Sequence, residues 1–209
     1  GYDDPIAFLA DYRERDLSGA ELDPEFVGPA EAPLFENRRT GDDVDLYDFP
    51  APLHHERDGG RFIGTADCAI TRDHDGDVNV GTYRMQLFGD SEVGVLMAPG
   101  KHGRLNFDEY AGLEEPIPVA ATFGQDPTLW TFASIHPEHR SQYGEYALAG
   151  GLKGRPLPVV EGPVTGLPIS ATAEIAVEGY IHPGKTRPEG PFGEWDGYYA
   201  TAMGYYGPE

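Results

Sequence analysis

The sequence predicts an α+β fold, a split barrel of mainly antiparallel strands with helices inserted between them. Strand-like runs outnumber helical ones, and Asp75-Gly76 lies between two of these runs, as in a tight hairpin. The helical segments do not alternate regularly with strands, as they would in a doubly wound parallel sheet. No segment repeats another, and 209 residues suit one domain, or one domain with an extension.

Runs rich in β-branched and aromatic residues are predicted as strands. They cover residues 61–65, 68–72, 78–88, 92–97, 117–123, 157–160, 173–177 and 198–203. Helices are predicted over residues 4–15, 107–113, 126–134 and 142–152. Asn106, with Glu109 three residues later, is predicted to cap the second helix, Asp126-Pro127 to open the third and Gly154 to end the fourth.

We divide the chain into two parts. Residues 1–45 are predicted to form an N-terminal helix and an extended acidic arm, and residues 46–209 the main domain. Pro5 is compatible with the first turn of that helix, whose apolar face carries Ile6 and Leu9.

The charge of the chain is strongly negative, since 15 Lys and Arg residues face 36 Asp and Glu residues for a net charge of -21. This charge argues against binding to nucleic acid or to anionic membranes. The acids are spread along the whole chain, which predicts a salt-rich cytoplasm, because about 1 M salt screens charges beyond roughly 3 Å. A generic solubilising surface is the alternative. No apolar run approaches the length of a membrane span, and no signal-peptide pattern opens the chain.

Cysteine and calcium motifs are excluded first. Cys68 is the single cysteine, which rules out an internal disulfide or a multi-cysteine zinc site and predicts a small buried residue. Residues 73–77 resemble a calcium loop, but Gly76 comes two places too early, so a hairpin turn explains them better. His54 and His55 are adjacent and would point apart on a strand, so we interpret them as a partly exposed structural pair.

Residues 189–199 hold two carboxylates, Glu189 and Glu194, on either side of a Gly-Pro-Phe-Gly core. The two acids need a turn to act together, and Gly190 and Gly193 permit one. The aromatic residues that follow could exclude water, and a carboxyl group beside apolar rings retains its proton more readily. A solvated surface turn is the alternative.

A second candidate site combines an amide, an imidazole and a carboxylate from Asn79, His102 and Glu145. Such ligands suit Mg²⁺ or Mn²⁺, with phosphate oxygens and water completing the octahedron. The alternatives are a structural histidine and a metal-dependent hydrolase, which would need an open coordination position.

The chain combines several distinctive motifs, which are NVGTYRMQ (79–86), the downstream His102, EYALAGGLKGRPL (145–157), AEIAVEG (173–179) and EGPFGEWDGYY (189–199). Together they resemble the UbiD family of reversible decarboxylases, and the resemblance runs from about residue 46 to residue 199. The resemblance implies a flavin-reductase-like split barrel that binds prenylated FMN. It also implies a divalent metal, usually Mn²⁺ with Mg²⁺ as the alternative, held by Asn79, His102 and Glu145 against the cofactor phosphate. A K⁺ ion often joins the phosphate site in that family.

The resemblance also assigns roles to individual residues. The cofactor would be lined by Asn79, Val80, Gly81, Thr82, Tyr83, Arg84, Lys101, His102 and Glu145. Arg84, Glu189 and Glu194 would act on the substrate, with Glu194 delivering the proton that replaces CO₂. Glu178 lies outside the EGPFGE element, so we expect it to be structural.

The implied partners are a small carboxylic acid as substrate and a flavin prenyltransferase as supplier of the cofactor. Members of that family extend beyond both ends of this chain, which begins at Gly1 rather than Met. We therefore expect an excised central domain or one subunit of a split enzyme, joined to a homo-oligomer or a partner subunit. The alternative is a non-catalytic flavin-binding or assembly subunit.

Overall fold

The computed structural model describes residues 4, 6–7, 20–135, 142–200 and 206–208, and it confirms the α+β class. Its helices are α1 (His102–Gly112), α2 (Pro127–Ser134) and α3 (Gly144–Lys153). The first strands are β1 (Glu25–Phe26), β2 (Phe62–Gly64), β3 (Cys68–Arg72), β4 (Val78–Gly81), β5 (Met85–Leu87), β6 (Val93–Val95) and β7 (Ile117–Phe123). The others are β8 (Pro158–Glu161), β9 (Pro168–Ser170), β10 (Ile175–Ile181), β11 (Thr186–Pro188), β12 (Phe192–Gly193), β13 (Tyr199–Ala200) and β14 (Tyr206–Pro208).

The strands form a central sheet of order β10-β7-β3-β4, two three-stranded sheets and two short ribbons. The three-stranded sheets have the orders β2-β5-β6 and β1-β8-β9, and the ribbons pair β11 with β14 and β12 with β13. All pairs are antiparallel except β1 with β8. The mainly antiparallel character predicted from the sequence is therefore confirmed for the described residues.

Successive residues of β3 and β7 face opposite sides of the central sheet, and each side carries an apolar core. One face packs against α2, α3 and the β1-β8-β9 sheet, with Ile70, Phe132 and Tyr146 among its buried members. The other face packs against the β2-β5-β6 sheet through residues such as Met85 and Ile117. Sheet β2-β5-β6 is thereby held over the central sheet.

Several local predictions are confirmed. Asp75-Gly76 lies in the turn between the antiparallel strands β3 and β4, and Gly76 has φ 96°. The Asp126 side chain accepts a hydrogen bond from the Thr128 amide at the start of α2, and Gly154 ends α3 in the left-handed conformation. Cys68 is completely buried.

The single long strand predicted over residues 78–88 is wrong. The chain forms β4 and β5, which belong to different sheets, and the segment between them contains Tyr83 and Arg84. The Thr82 amide donates to the Ala133 carbonyl at the end of α2 instead of to a neighbouring strand. This break directs Arg84 away from the central sheet.

The predicted cap at Asn106 is also wrong, because α1 begins at His102 with Lys101 as its N-cap. Asn106 lies inside the helix and is buried, and its Nδ2 donates to Thr71 Oγ1 at 3.0 Å. A buried polar partner on β3 thus satisfies the side chain that the sequence pattern assigned to the helix terminus. His102 consequently lies in the first turn of α1.

In its described residues, the predicted arm contains one short strand, β1, and three 3₁₀ turns at Pro29–Glu31, Pro33–Glu36 and Gly41–Asp43, and a fourth turn follows at Leu46–Asp48. It packs along the domain, since the Leu22 amide donates to Ala147 of α3 and the Val27 amide to Val159 of β8. Most of the predicted helix 4–15, and the end of the predicted strand 198–203, lie outside the described residues. Within the described part of the chain, no helix has the length and apolar character needed to cross a bilayer.

Candidate functional site

Arg84 lies at the centre of a group of charged side chains that are distant in sequence. Its Nε and Nη2 donate to the two carboxylate oxygens of Glu189, both at 2.7 Å. Its Nη1 donates to Glu194 Oε1 at 3.0 Å. The fold therefore brings together the three residues that the sequence analysis grouped as catalytic.

Two phenylalanine rings restrict the orientation of the Arg84 guanidinium. Its Cζ lies 4.6 Å from the ring centroid of Phe192 and 5.8 Å from that of Phe62. The two rings pack edge to face, with 4.6 Å between their centroids. Because guanidinium groups are attracted to aromatic rings, these contacts hold the charge on Arg84 next to Glu189.

The loop that carries both glutamates is fixed through its backbone. The Gly190 amide donates to Gln86 Oε1 and the Gly193 amide to Asp58 Oδ1, both at 2.8 Å. The Gly59 amide donates to the Pro191 carbonyl at 2.7 Å. Three hydrogen bonds from other parts of the chain thus set the position of the loop.

Gly59 allows the two loops to touch. A β-carbon at this position would lie 1.9 Å from the carbonyl oxygen of Gly190, far inside van der Waals contact. Gly190 itself has φ 84°, a conformation that favours glycine. The turn that Gly190 was predicted to permit is therefore present.

Asp58 stays ionised to lower pH than an ordinary aspartate. Burial opposes ionisation, but hydrogen bonds from the Gly193 and His55 amides outweigh it and lower the pKa of Asp58. The side chain is fully buried. A charged acceptor therefore anchors the loop between the two glutamates.

Asp58, Gln86 and Phe62 were not identified as site residues from the sequence. Asp58 precedes Gly59-Gly60, which is a turn signal, but nothing in that signal points to a loop 135 residues away. Gln86 is a buried polar residue in a predicted strand, and its side chain accepts the hydrogen bond from the Gly190 amide. A polar residue without an evident role in that strand was the only sequence signal that pointed to Gln86.

The predicted aromatic shield around Glu194 is wrong for this chain. Trp195 and Tyr198 are 95% and 74% exposed, so they do not exclude water from the carboxylate. The chain turns sharply at this point, because the Glu194 amide donates to the Tyr198 carbonyl at 2.7 Å and the Gly197 amide to the Glu194 carbonyl at 3.0 Å. The turn directs both rings into solvent.

Glu178 has partners of its own on β10. Its Oε1 accepts hydrogen bonds from the Thr165 hydroxyl at 2.6 Å and the Thr165 amide at 2.9 Å. These contacts connect β10 to the loop before β9. They fit the structural role expected for Glu178.

The histidine pair lies on an exposed loop beside the site. The rings of His54 and His55 both pack edge-on against Phe192, with centroid distances of 5.8 and 6.1 Å. Among the described residues, no three His, Cys, Asp or Glu side chains form a group that could hold a metal ion. Both histidines pack against Phe192, one of the two rings beside Arg84.

The predicted cofactor and metal residues, apart from Arg84, line one small cavity of about 30 Å³. They are Asn79, Val80, Gly81, Thr82, Tyr83, Lys101, His102 and Glu145. The cavity lies between the end of β4, the start of α1 and α3. The predicted metal ligands and the other residues expected to line the cofactor therefore adjoin one space.

The donor set of this cavity fits one hard divalent cation. Asn79 and Glu145 are buried, and Glu145 Oε2 also accepts the Val80 amide at 2.9 Å. Asn79 Nδ2 donates to Thr71 Oγ1 at 3.2 Å, which orients the amide group. With His102, the ligands would be an amide, an imidazole and a carboxylate, and Lys101 adds a positive charge for an anion.

The sequence of the chain is similar to those of known proteins. The model of the UbiD 3-octaprenyl-4-hydroxybenzoate carboxy-lyase Rift-related domain matches residues 25–206. A phenolic acid decarboxylase of Streptomyces sp. (strain D7) is 36% identical in an alignment of 179 residues that covers 81% of this chain and 36% of that protein. A phenolic acid decarboxylase of Escherichia coli O157:H7 is 33% identical in an alignment of 171 residues that covers 79% of this chain and 35% of that protein.

Solved structures share the fold. The UbiD-class enzyme HmfF from Pelotomaculum thermopropionicum, in complex with FMN, has a TM-score of 0.81 and 31% identity over 92% of this chain and 42% of its own. The open form of vanillic acid decarboxylase (ShVdcCD) from Sedimentibacter hydroxybenzoicus has a TM-score of 0.82 and 27% identity, covering 95% of this chain and 41% of its own. The chain thus spans little more than a third of the curated relatives' length. Because the family model matches most of its residues, the chain belongs to the UbiD carboxy-lyase family.

Proposed function

We propose that the protein catalyses the reversible, non-oxidative decarboxylation of an aromatic or α,β-unsaturated carboxylic acid with prenylated FMN. The observation that carries the proposal is the contact of one guanidinium, that of Arg84, with both Glu189 and Glu194. Two relatives named phenolic acid decarboxylases, and HmfF structures with FMN and with prFMN, support the reaction class and the cofactor.

When bound, prenylated FMN supplies an electron sink for the carbon atom that loses CO₂. The protein's part is to bind the substrate carboxylate and to deliver a proton. Arg84 would orient that carboxylate, and Glu189 would keep the guanidinium aligned through its two hydrogen bonds. Glu194 would donate the proton that forms the new C–H bond after the C–C bond breaks.

Asn79, His102 and Glu145 would hold Mn²⁺, or Mg²⁺, beside the cofactor phosphate. A phosphate is poorly tolerated by a chain of net charge -21, and a bound cation offsets that repulsion locally. Lys101 in the same cavity would add a second positive charge. A K⁺ ion at the phosphate is proposed from the family resemblance alone.

The architecture supports the split barrel and the assembly that we propose. Sheet β2-β5-β6 and the central sheet enclose one apolar core between them, as two parts of an open barrel would. We also propose a domain boundary between residues 45 and 46 and a cytoplasmic location. The protein would assemble as a homo-oligomer or with a partner subunit. This assembly is supported by two similar structures, an evolved dimeric form of HmfF and ShVdcCD, whose open form contains a truncated ShVdcD.

Co-expression with a flavin prenyltransferase tests the function. The purified protein is expected to carry a flavin whose absorbance and released mass identify prenylated FMN. It should then release CO₂ from members of a panel of phenolic and α,β-unsaturated acids. A folded protein that contains no flavin would contradict the proposal.

A non-catalytic flavin-binding or assembly subunit is the second candidate. It is favoured by one observation, the similarity to the vanillic acid decarboxylase ShVdcCD, whose solved open form contains a truncated ShVdcD. In this case the protein would retain flavin but release no CO₂ until a second polypeptide is added. Titration with candidate partner subunits therefore separates the two functions.

A further inference from the structure

The loop that carries Glu189 and Glu194 is held at its two ends by different residues. At the Glu189 end, it forms hydrogen bonds with Gln86 and Gly59. At the Glu194 end, it contacts His55, a residue to which the proposed function gives no task. Each of the two acids therefore depends on a different neighbour for its position.

The imidazole of His55 lies against the backbone of Gly193, the residue that directly precedes Glu194. A β-carbon built on Gly193 would lie 2.5 Å from both Cγ and Nδ1 of this ring, and 2.9 Å from the β-carbon of His55. These are the three nearest atoms, so His55 fills the space in which a side chain at position 193 would stand. The ring approaches this closely because Gly193 has no side chain.

The ring of His55 is itself held by the surrounding residues. It packs edge to face against Phe192 and Tyr199, at centroid distances of 6.1 and 6.2 Å. The His55 amide donates to Asp58 Oδ2 at 2.8 Å, and the Gly193 amide donates to Asp58 Oδ1, also at 2.8 Å. One carboxylate therefore connects the backbone of His55 with the backbone of Gly193.

The contact of His55 with Gly193 depends on packing rather than on charge. The distance from His55 Nδ1 to Asp58 Oδ2 is 3.8 Å, which is too long for a hydrogen bond. The histidine side chain is also 43% exposed, so water screens any attraction between the two groups. A flat ring of similar size should therefore replace the imidazole, whereas a methyl group should not.

His54 provides a comparison within the same loop. Its ring also packs against Phe192, at a centroid distance of 5.8 Å, and both histidines are exposed. However, none of its atoms is among the three nearest to a β-carbon built on Gly193. The two histidines therefore differ in their contact with the residue before Glu194.

We propose that His55 is a positioning residue for proton delivery, because its ring packs on the Gly193 backbone and so sets the position of Glu194. Misplacement of a reacting group by about 1 Å can cost about 100-fold in rate. Glu189 would keep its contacts with Arg84 if His55 were removed, so substrate binding should not change. The consequence for catalysis rests on the proposed function of Glu194, whereas the packing of His55 does not.

Steady-state kinetics of the complete, cofactor-loaded enzyme test the role in catalysis. His55→Ala should lower kcat and the exchange of product hydrogen with D₂O by as much as about 100-fold, with KM unchanged. His55→Phe keeps a flat ring and should retain both activities. His54→Ala is the matched control and should behave as the wild type. An unchanged kcat in His55→Ala, or an equal loss in His55→Phe or His54→Ala, would overturn the proposal.

A double substitution tests the contact itself. Gly193 does not have a left-handed φ, so its backbone accepts alanine and the obstacle is the ring of His55. Gly193→Ala should therefore lower kcat, and His55→Ala/Gly193→Ala should recover activity relative to Gly193→Ala alone. Residues in contact show such non-additive effects. Losses that simply add in the double variant would overturn the proposal.

Hydrogen–deuterium exchange of the full chain gives a measurement that needs no turnover. Peptides covering residues 192–199 should exchange faster in His55→Ala and in Gly193→Ala than in the wild type. They should exchange at the wild-type rate in His55→Phe and His54→Ala. Equal exchange in His55→Ala and the wild type would overturn the packing role. If the expected pattern appears in a protein that has neither flavin nor turnover, the proposed function fails while the packing of His55 on Gly193 stands.

Discussion

Glu189 and Glu194 share one guanidinium but differ in how they are held. Glu189 accepts two hydrogen bonds from Arg84 and its side chain is 3% exposed, whereas Glu194 accepts one and is 40% exposed. A buried carboxylate that accepts two hydrogen bonds is suited to remain ionised and in place. A singly bonded, accessible carboxylate can leave the guanidinium and approach a substrate. The two acids are therefore suited to different tasks.

This difference predicts that Glu194→Gln stops proton delivery. In the complete enzyme, turnover and the exchange of product hydrogen with D₂O should fall by about 10²–10⁴-fold, the usual cost of removing a positioned acid. Flavin content and substrate binding should be retained. Glu178→Gln is the control, because Glu178 is held by Thr165 and should keep both activities. Exchange at the wild-type rate in Glu194→Gln would mean that another group supplies the proton.

Arg84→Lys should impair the site although the charge is conserved. A lysine cannot match the planar fork that Arg84 forms with both Glu189 oxygens. Loss of one charged hydrogen bond of about 1.5–3 kcal/mol corresponds to a fall of about 10–100-fold in kcat/KM. Steady-state kinetics with a phenolic acid would measure it.

The matched control for that variant is Arg104→Lys. Arg104 pairs with Asp108 at 2.7 Å on α1, in a more exposed position than the Arg84 pair. Exposed pairs contribute little, so this variant should behave as the wild type. Equal losses in both variants would indicate a general effect of lysine rather than a loss of the fork.

Part of the site could be predicted from the sequence and part could not. Arg84, Glu189 and Glu194 lie in motifs that resemble those of the UbiD family, and this resemblance was sufficient to group the three residues. Asp58 and Gln86 act through single hydrogen bonds to backbone amides more than 100 residues away, and such bonds leave no periodicity. The sequence therefore identified the charged groups but not what positions their loop.

The fold shows the same limit. Asp75-Gly76 and Asp126-Pro127 are local signals, and both were interpreted correctly. The break between β4 and β5 was missed because residues 78–88 were interpreted as one strand, whereas the Thr82 amide donates to the Ala133 carbonyl of α2. Likewise, the partner of Asn106 is Thr71 on another element. Tertiary contacts overrode the local preference in both cases.

Glu145→Ala should lose metal and cofactor together. Glu145 is a predicted ligand and also accepts the Val80 amide, so its removal disturbs both the ion and the cavity wall. Loss of a ligand or its support commonly costs about 10–100-fold in metal affinity. Elemental analysis and flavin absorbance of the same sample measure both. Full manganese occupancy in Glu145→Ala would contradict the assignment.

Asp58 should make the stability of the protein decrease in acid. Its folded-state pKa is lowered, so its contribution to stability is present above the unfolded-state pKa and is lost as the pH falls through the folded-state value. Urea unfolding of the wild type should show declining stability on acidification. Asp58→Asn should be less stable than the wild type at neutral pH, and the difference should shrink in acid. A difference that is constant with pH would exclude the charge of Asp58 as the cause.

Cys68 should be inert in the native protein. It is completely buried, and burial raises the pKa of its thiol, so the reactive thiolate is scarce at neutral pH. Alkylation by iodoacetamide, followed by mass spectrometry, should therefore require urea. Rapid modification of the folded protein would show that β3 opens readily.

The contact at Gly59 has a consequence for how this site can evolve or be engineered. Since a β-carbon at position 59 would meet the carbonyl of Gly190, every substitution there displaces the loop that carries both glutamates. A saturation library should accept only glycine at this position while tolerating many residues at the exposed Glu56. Substitutions of the side chains around Arg84 can therefore change the range of substrates. They cannot change the close approach of the Gly59 and Gly190 backbones, which fixes the position of the loop.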